Sequence, residues 1–228
     1  MISHKHKCIF VHIPKCAGTS IEHVLGHFDE HSGRGGQDHR TIRMLEKPTL
    51  TNGFLSDTEN VKEFLRGWRH RIIGNDNPNN KLVVNRRQFQ TYYRFSFVRN
   101  PWARAYSWYK NVMRDEIHQK SMGINDEITF STFMDRFAGT GMLSPQTYWL
   151  KDFSGSVNLD FIGKFESLEK DFEEVCQALN LNNVQLPHHV KGSYDDFREH
   201  YDLKTIKLVK NIYSEEISLF NYSFESDE

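Results

Sequence analysis

Ile9-Phe10-Val11-His12-Ile13-Pro14-Lys15-Cys16-Ala17-Gly18-Thr19-Ser20-Ile21-Glu22 reads as an apolar strand, a short turn carrying one lysine, and the start of a helix. The small residues Ala17, Gly18, Thr19 and Ser20 let the backbone curl so that several N–H groups converge on one anion. A helix N-terminus adds partial positive charge, and Lys15 adds a full one. This is the equipment for gripping a phosphate-like group.

A second stretch, Phe95-Ser96-Phe97-Val98-Arg99-Asn100-Pro101-Trp102-Ala103-Arg104-Ala105-Tyr106-Ser107-Trp108-Tyr109, is another strand running into another helix. Asn100 suits the N-cap, and Pro101 suits the first helical position, where a missing N–H costs little. Arg99 therefore falls at the carboxyl end of a strand, where ligands of open α/β sheets gather, and Ser107 lies two turns further on. Two anion sites at strand ends imply a ligand with phosphate groups at two separated positions.

Together these segments resemble the sulfotransferase superfamily that uses 3′-phosphoadenosine 5′-phosphosulfate (PAPS). Within it they are most similar to the carbohydrate sulfotransferases of the chondroitin, dermatan and heparan 2-O type and their bacterial relatives. In that family a His-Ile-Pro-Lys-x-Ala-Gly-Thr-Ser loop holds the 5′-phosphosulfate, which implies that role for Lys15, Cys16, Ala17, Gly18, Thr19 and Ser20. A Phe-Val-Arg-Asn-Pro-x-x-Arg-x-x-Ser segment holds the 3′-phosphate, which implies that role for Arg99 and Ser107. The likeness continues through Gln146, the run Phe161-Ile162-Gly163-Lys164-Phe165-Glu166-Ser167-Leu168, and Tyr213 to Phe224. It implies a three-layer α/β/α fold with a central parallel sheet, of the P-loop-NTPase-like sulfotransferase kind.

The 228 residues can bury one sizeable core, so a single domain spanning residues 1–228 is the expectation. A formal net charge of −1 gives no global basic field to argue for nucleic acid or an anionic membrane. Anion binding must then come from local arrangement. Three cysteines, Cys8, Cys16 and Cys176, neither build a disulfide framework nor show metal-ligand spacing, so free thiols are expected. The apolar run at residues 8–13 is too short for a signal-peptide core or a membrane span. Eukaryotic members of the resembled family are usually held in the Golgi membrane by an amino-terminal helix. Without such a helix, a bacterial cytoplasmic enzyme is expected, with a trimmed chain as the alternative.

Strand–helix alternation supports the α/β reading. Strands are expected at 7–13 and across Val157 to Phe165, besides the one ending at Val98. Helices are expected from Thr19 to Leu25 (ended by Gly26), around Thr41 to Glu46, from Trp102 to Met113, and over Phe130 to Phe137, stopped by Gly139. A helix capped by Ser167 runs to Leu179, and a last long one opens at Asp202 and reaches Ile217. Asp29 to Asp38 reads as a mobile glycine-rich loop. Residues 47–90 read as an insertion with turn signals, a short helix near Val61 to Trp68, and substrate contacts.

Sulfuryl transfer is in-line movement of a group between two oxygens, driven by positioning and charge stabilisation. Lys15 is the residue to meet the bridging oxygen of the leaving phosphate as charge builds there. Thr19 and Ser20 can both cap the helix and bind the anion. The acceptor hydroxyl, expected on a saccharide, needs a base, and His39 stands where the family places its candidate base. Asp38 replaces the usual basic neighbour and can orient a catalytic group. Glu22 is the runner-up base, and His12 reads as a packed residue. His23, His27 and His31 recur at metal-like spacing but lack a carboxylate or cysteine complement, so a solvated face is expected and no metal. Arg104 either supports the phosphate site or solvates its helix. Lys191 and Ser193, in a late loop, are further nucleotide contacts by resemblance, and Gln146 touches acceptor or cofactor.

Two other functions compete. A P-loop kinase or NTPase is disfavoured because no Gly-Lys-Ser/Thr follows the loop and no acidic Mg²⁺ residue ends a second strand. A non-catalytic module that binds nucleotide or sulfated glycan is disfavoured by the presence of Lys15, Arg99, Ser107 and His39.

Overall fold

Cys8–Val11, the centre of the apolar run, forms strand β2, entered from a two-residue strand β1 at Ile2–Ser3. The computed structural model describes residues 1–48, 54–55, 57–72, 77–182, 184–187 and 196–225. Among these, β1 pairs antiparallel with β2. Strand β2 runs parallel to β3 (Tyr93–Val98), which runs parallel to β4 (Phe161–Lys164). The sheet is thus mostly parallel, in the order β1-β2-β3-β4, with a short antiparallel edge added to the expected parallel core. Ile9, Phe10, Val11, Phe95, Phe97 and Val98 are all exposed by 1% or less, as strands covered on both faces must be.

The helices follow in chain order. They are α1 (Gly18–Val24), α2 (Ile42–Leu45), α3 (Thr58–Ile72), α4 (Arg86–Thr91), α5 (Pro101–Met113) and α6 (Glu116–Ser121). Then come α7 (Phe130–Phe137), α8 (Gln146–Leu150), α9 (Leu168–Ala178), α10 (Leu203–Ile212) and α11 (Ser214–Leu219). The chain divides into two compact units, each drawn from separated segments. The first comprises residues 1–13, 17–98 and 147–189 and holds the whole sheet; the second comprises residues 14–16, 99–146 and 190–228.

In the first unit Thr41 caps α2 by accepting from Met44 N, and Asn85 and Gln88 close a capping box on α4. Helix α9 packs against β4 and β3, burying Phe172, Val175 and Cys176. In the second unit Trp102, Tyr106, Phe130, Phe133, Val209 and Tyr213 join one hydrophobic core. Asn100 caps α5 through Trp102 N and Ala103 N, with Pro101 in the first turn, as the sequence predicted.

Several elements depart from expectation for identifiable reasons. The helix near Val61 to Trp68 is longer, spanning Thr58–Ile72, because Asp57 accepts from Glu59 N and Asn60 N and starts it early. Only Phe161–Lys164 of the expected late strand joins the sheet; Val157 instead bridges antiparallel to Lys151 across the turn in which Asp152 accepts from Ser154 N and Ser156 N. Ser167 makes no side-chain cap to α9. The last long helix breaks at Tyr213, whose hydroxyl donates to Leu143 O at 2.7 Å and accepts from Gly139 N at 3.0 Å. Helix α6, capped by Asp115, was not read from the sequence. The loop expected to be mobile is pinned at Gly36, whose carbonyl accepts from Asn77 Nδ2 and Asn80 Nδ2, each at 3.0 Å. His27, expected on a solvated face, is 1% exposed and bonded to Asn80 Oδ1 at 3.1 Å.

Gly163 on β4 allows the close fit of strand and helix. A Cβ there would meet the Phe97 ring at 2.5 Å and Asp171 Cβ at 3.0 Å. Gly163→Ala is expected to cost about 1–3 kcal/mol of stability through overpacking. A urea unfolding midpoint unchanged from the parent chain would contradict this packing.

Candidate functional site

Pro14–Cys16 group with the second unit, and the residues that surround Lys15 there come from α5 and the strand exit before it. Lys15 Nζ donates to Asn111 Oδ1 at 3.3 Å, and Arg99 Nη1 donates to Lys15 O at 3.2 Å. Arg104 is almost wholly buried and donates to Pro14 O, Ser144 O and Met142 O at 3.1, 3.1 and 2.6 Å. A buried guanidinium must be satisfied by acceptors, and here three carbonyls do so, one of them next to Lys15. Arg104 thus holds the loop rather than solvating its helix.

Gln146 is fully buried in the same unit. Its Oε1 accepts from Arg99 N at 2.8 Å and from Cys16 Sγ at 3.5 Å, while its Nε2 donates to Arg99 O at 2.8 Å. Glu216 on α11, also buried, accepts from Gln146 Nε2 at 2.9 Å and from Gln146 N. The amide therefore fixes the backbone at Arg99 and the thiol at Cys16. Ser107 lies on α5 between Arg104 and Asn111, and its spacing from each puts the three on one helical face.

Burial, reinforced by Arg99 and Arg114, lowers the Lys15 ammonium to about 8. An arriving anion would reverse that shift.

In the first unit, Ala17 takes a left-handed backbone (φ 61) at the helix N-cap, and Lys15 just before it does the same in the second unit (φ 70). Left-handed backbone at non-glycine residues is strained and collects at ligand sites. No side chain caps α1, and among the described residues the hydroxyls of Thr19 and Ser20 have no hydrogen-bond partner. Gly18 must be glycine, because a Cβ would fall 2.0 Å from the His12 imidazole.

His12 stands at the centre of a buried cluster. Its Nδ1 lies 3.1 Å from Glu22 Oε1, and its ring centroid lies 4.2 Å from that of His39. His39 Nδ1 is 3.2 Å from His12 O, a carbonyl that can only accept, so Nδ1 carries the proton and Nε2 the lone pair. Burial and the neighbouring His12 lower the His39 imidazole to about 4. Glu22 also accepts from Asp38 N at 3.0 Å, and burial raises its carboxyl. Against its own burial, Asp38 is held well below the usual carboxylate range by Arg40, which it binds through both oxygens.

Lys15, Cys16, Arg99 and Ser107 thus belong to the second unit, and Ala17, Gly18, Thr19, Ser20 and His39 to the first. Lys191 and Ser193 lie outside the described residues. Sequence reasoning missed Asn111, Glu216 and the grip of Arg104 on Pro14. The spacing Arg104, Ser107, Asn111 was a legible helical stripe; Glu216 carried no local signal.

The family described as the sulfotransferase family matches residues 1–223 of this chain. Carbohydrate sulfotransferase 14 of Danio rerio is 23% identical over 252 residues, which cover 97% of this chain and 61% of that protein. The chain spans about three fifths of the length of the curated relative it matches. No solved structure matches it significantly. The expectation of a bacterial cytoplasmic enzyme is corrected by this match. The relative is a vertebrate carbohydrate sulfotransferase, and partial coverage removes the argument from a missing anchor. Among the described residues no helix is long and apolar enough to cross a membrane.

The His39 environment predicts a pH signature. Its folded value of about 4 lies below the ordinary 6.5, so the unfolded chain binds the extra proton between them. Its contribution to stability is therefore complete above 6.5 and lost as pH falls toward 4. His39→Gln should flatten the fall in urea midpoint between pH 7 and pH 5, and the His39 ring resonance should titrate near 4. An ordinary midpoint near 6.5 would contradict this placement of the ring against His12.

Proposed function

Because the chain belongs to the sulfotransferase family, we propose that it moves the sulfuryl group of 3′-phosphoadenosine 5′-phosphosulfate onto a hydroxyl of a saccharide. The observation that carries this reading is the cationic cluster of the second unit. There Lys15, Arg99 and Asn111 are bound together and fixed from behind by Arg104 and Gln146. The saccharide acceptor draws support from the carbohydrate sulfotransferase of Danio rerio.

Each residue has a defined task. The Lys15 ammonium meets the bridging oxygen of the departing phosphate, where a fixed cation stabilises the growing charge. Cys16, Ala17, Gly18, Thr19 and Ser20 hold the 5′ end through backbone N–H groups and the two hydroxyls. Arg99 forks the 3′-phosphate, joined by the Ser107 hydroxyl, and Lys191 and Ser193 add nucleotide contacts. His39 Nε2 takes the proton of the acceptor hydroxyl as its oxygen bonds to sulfur and the bond from sulfur to the leaving phosphate breaks. Glu22 is wholly buried against His12 and Asp38, which suits it to positioning rather than to taking the proton itself.

Adenosine 3′,5′-bisphosphate should raise the thermal midpoint without added Mg²⁺, by about 2.7 kcal/mol of stabilisation at a hundred times its Kd. A shift with Mg-ATP and none with the bisphosphate would overturn the reading in favour of a kinase or NTPase. Binding without transfer to any saccharide would favour a non-catalytic module. With Lys15 needed as the cation and His39 as the neutral base, kcat/KM should be flat between limbs near 4 and 8. It should fall below the first as His39 gains a proton and above the second as Lys15 loses one. Lys15→Ala and His39→Ala should abolish transfer, while Arg99→Ala should chiefly weaken the bisphosphate. Full activity in His39→Ala would remove it as the base.

A further inference from the structure

Half of the large apolar side chains that stay exposed among the described residues fall between 55 and 72: Leu55, Phe64, Leu65, Trp68 and Ile72. Single exposed apolar residues are ordinary, but a contiguous patch marks an interaction surface. We propose that α3 docks on an anionic lipid surface, with its apolar stripe in the outer acyl region and its arginines among the headgroups. This goes beyond donor and acceptor binding and uses none of the residues assigned to them.

The stripe comes from sequence spacing. Val61, Leu65, Trp68 and Ile72 follow one another at steps of four, three and four residues, which keeps them on one side of a helix. Phe64 adjoins Trp68 one turn back. Leu65 is 56% exposed, Trp68 60% and Ile72 64%. Asn60, Glu63 and Gly67, the buried positions of the helix, lie about a third of a turn away. The helix is thus held by one side and shows the apolar one to solvent.

Charge decides what covers that side. Arg71 borders the stripe at one edge, and Lys62 and Arg69 border it at the other, all three exposed. Neither of these arginines has an ion-pair partner among the described residues. The acids of the segment are engaged elsewhere. Glu63 is buried against Thr41 and Tyr148, and Glu59, behind the stripe, holds Lys62 at 2.7 Å. The Asp57 carboxylate accepts from Glu59 N and Asn60 N at the helix start.

An apolar arc containing Trp and Phe, with cations along both edges, is the pattern of a helix lying in a membrane interface. From there the long cationic side chains reach lipid phosphates and carboxylates. A second copy of this chain fits less well. Antiparallel pairing of the two stripes would set Lys62 and Arg69 against the same two cations of the other copy.

The test is partition of the full chain, at low ionic strength, onto vesicles of phosphatidylcholine alone or with about one third phosphatidylserine. Cosedimentation should show about ten-fold tighter binding to the anionic vesicles, lost in high salt. Trp102, Trp108 and Trp149 are buried, so a blue shift of tryptophan emission and its quenching by brominated acyl chains report Trp68. Trp68→Phe should abolish that signal and retain cosedimentation. Leu65→Glu combined with Ile72→Glu should weaken partition about ten-fold or more. Arg69→Gln combined with Arg71→Gln should remove the preference for phosphatidylserine. All four positions are exposed, so an unaltered thermal midpoint separates docking from folding. Four results would each overturn the proposal: no partition, equal partition onto both vesicle types, unshifted emission in the vesicle-bound chain, or unchanged partition of the Leu65 and Ile72 variant. A dimer in sedimentation velocity that those two glutamates dissociate would also overturn it, and would assign the stripe to a second copy.

Discussion

The guanidinium of Arg104 is the contact on which the cationic cluster depends. It is buried almost completely, and a charge in that position is tolerable only when every direction it points in offers an acceptor. Pro14, Met142 and Ser144 supply carbonyls from two chain segments far apart in sequence. The demand of one cation therefore fixes the backbone immediately before Lys15. Gln146 follows two residues after Ser144 and repeats the device in neutral form, holding Arg99 at both its N–H and its C=O. Its own amide is fixed by Glu216, a buried carboxylate that gives the second unit an anion among its cations.

Charge is handled in opposite ways in the two units. In the second, burial and then the neighbouring cations make Lys15 easier to deprotonate, so anion binding recovers a cost already present in the fold. In the first, a buried imidazole, His12, and a half-buried one, His39, lie beside the buried carboxyl of Glu22. His39 is kept neutral, with its proton directed to a carbonyl and its lone pair left on the other nitrogen. A fixed tautomer is what a proton acceptor needs, and Gly18 leaves the room for His12 that makes the arrangement possible.

What was legible in the sequence was local. The Asn100-Pro101 helix start, the apolar strand before Pro14, the Thr41 start and the stop after Phe137 each depend on a few adjacent residues, and each stands where it was read. What was not legible came from partners distant in sequence. The break at Tyr213 reflects a hydroxyl tied to Gly139 and Leu143 across some seventy residues, which no periodicity within Leu203 to Ile217 can show. The Gly36 loop looked mobile because its glycines are local and its anchors, Asn77 and Asn80, are not. Lys15, Arg99 and Ser107 could be singled out because a strand end and a helix start frame them. Asn111 and Glu216 could not, since their importance lies in what they touch.

Helix α3 was expected near Val61 to Trp68 and proves longer, and the way it is attached bears on what it does. An amphipathic helix normally hides its apolar stripe and shows its charges. Here Asn60, Glu63 and Gly67 face inward, where Gly67 lets the helix approach Met44 and Glu63 binds Thr41 and Tyr148. Phe64, Leu65, Trp68 and Ile72 remain exposed. A helix attached through polar bonds and a glycine does not need those side chains for its own folding. Their exposure is the kind of local conflict that a chain retains where something else is to be bound.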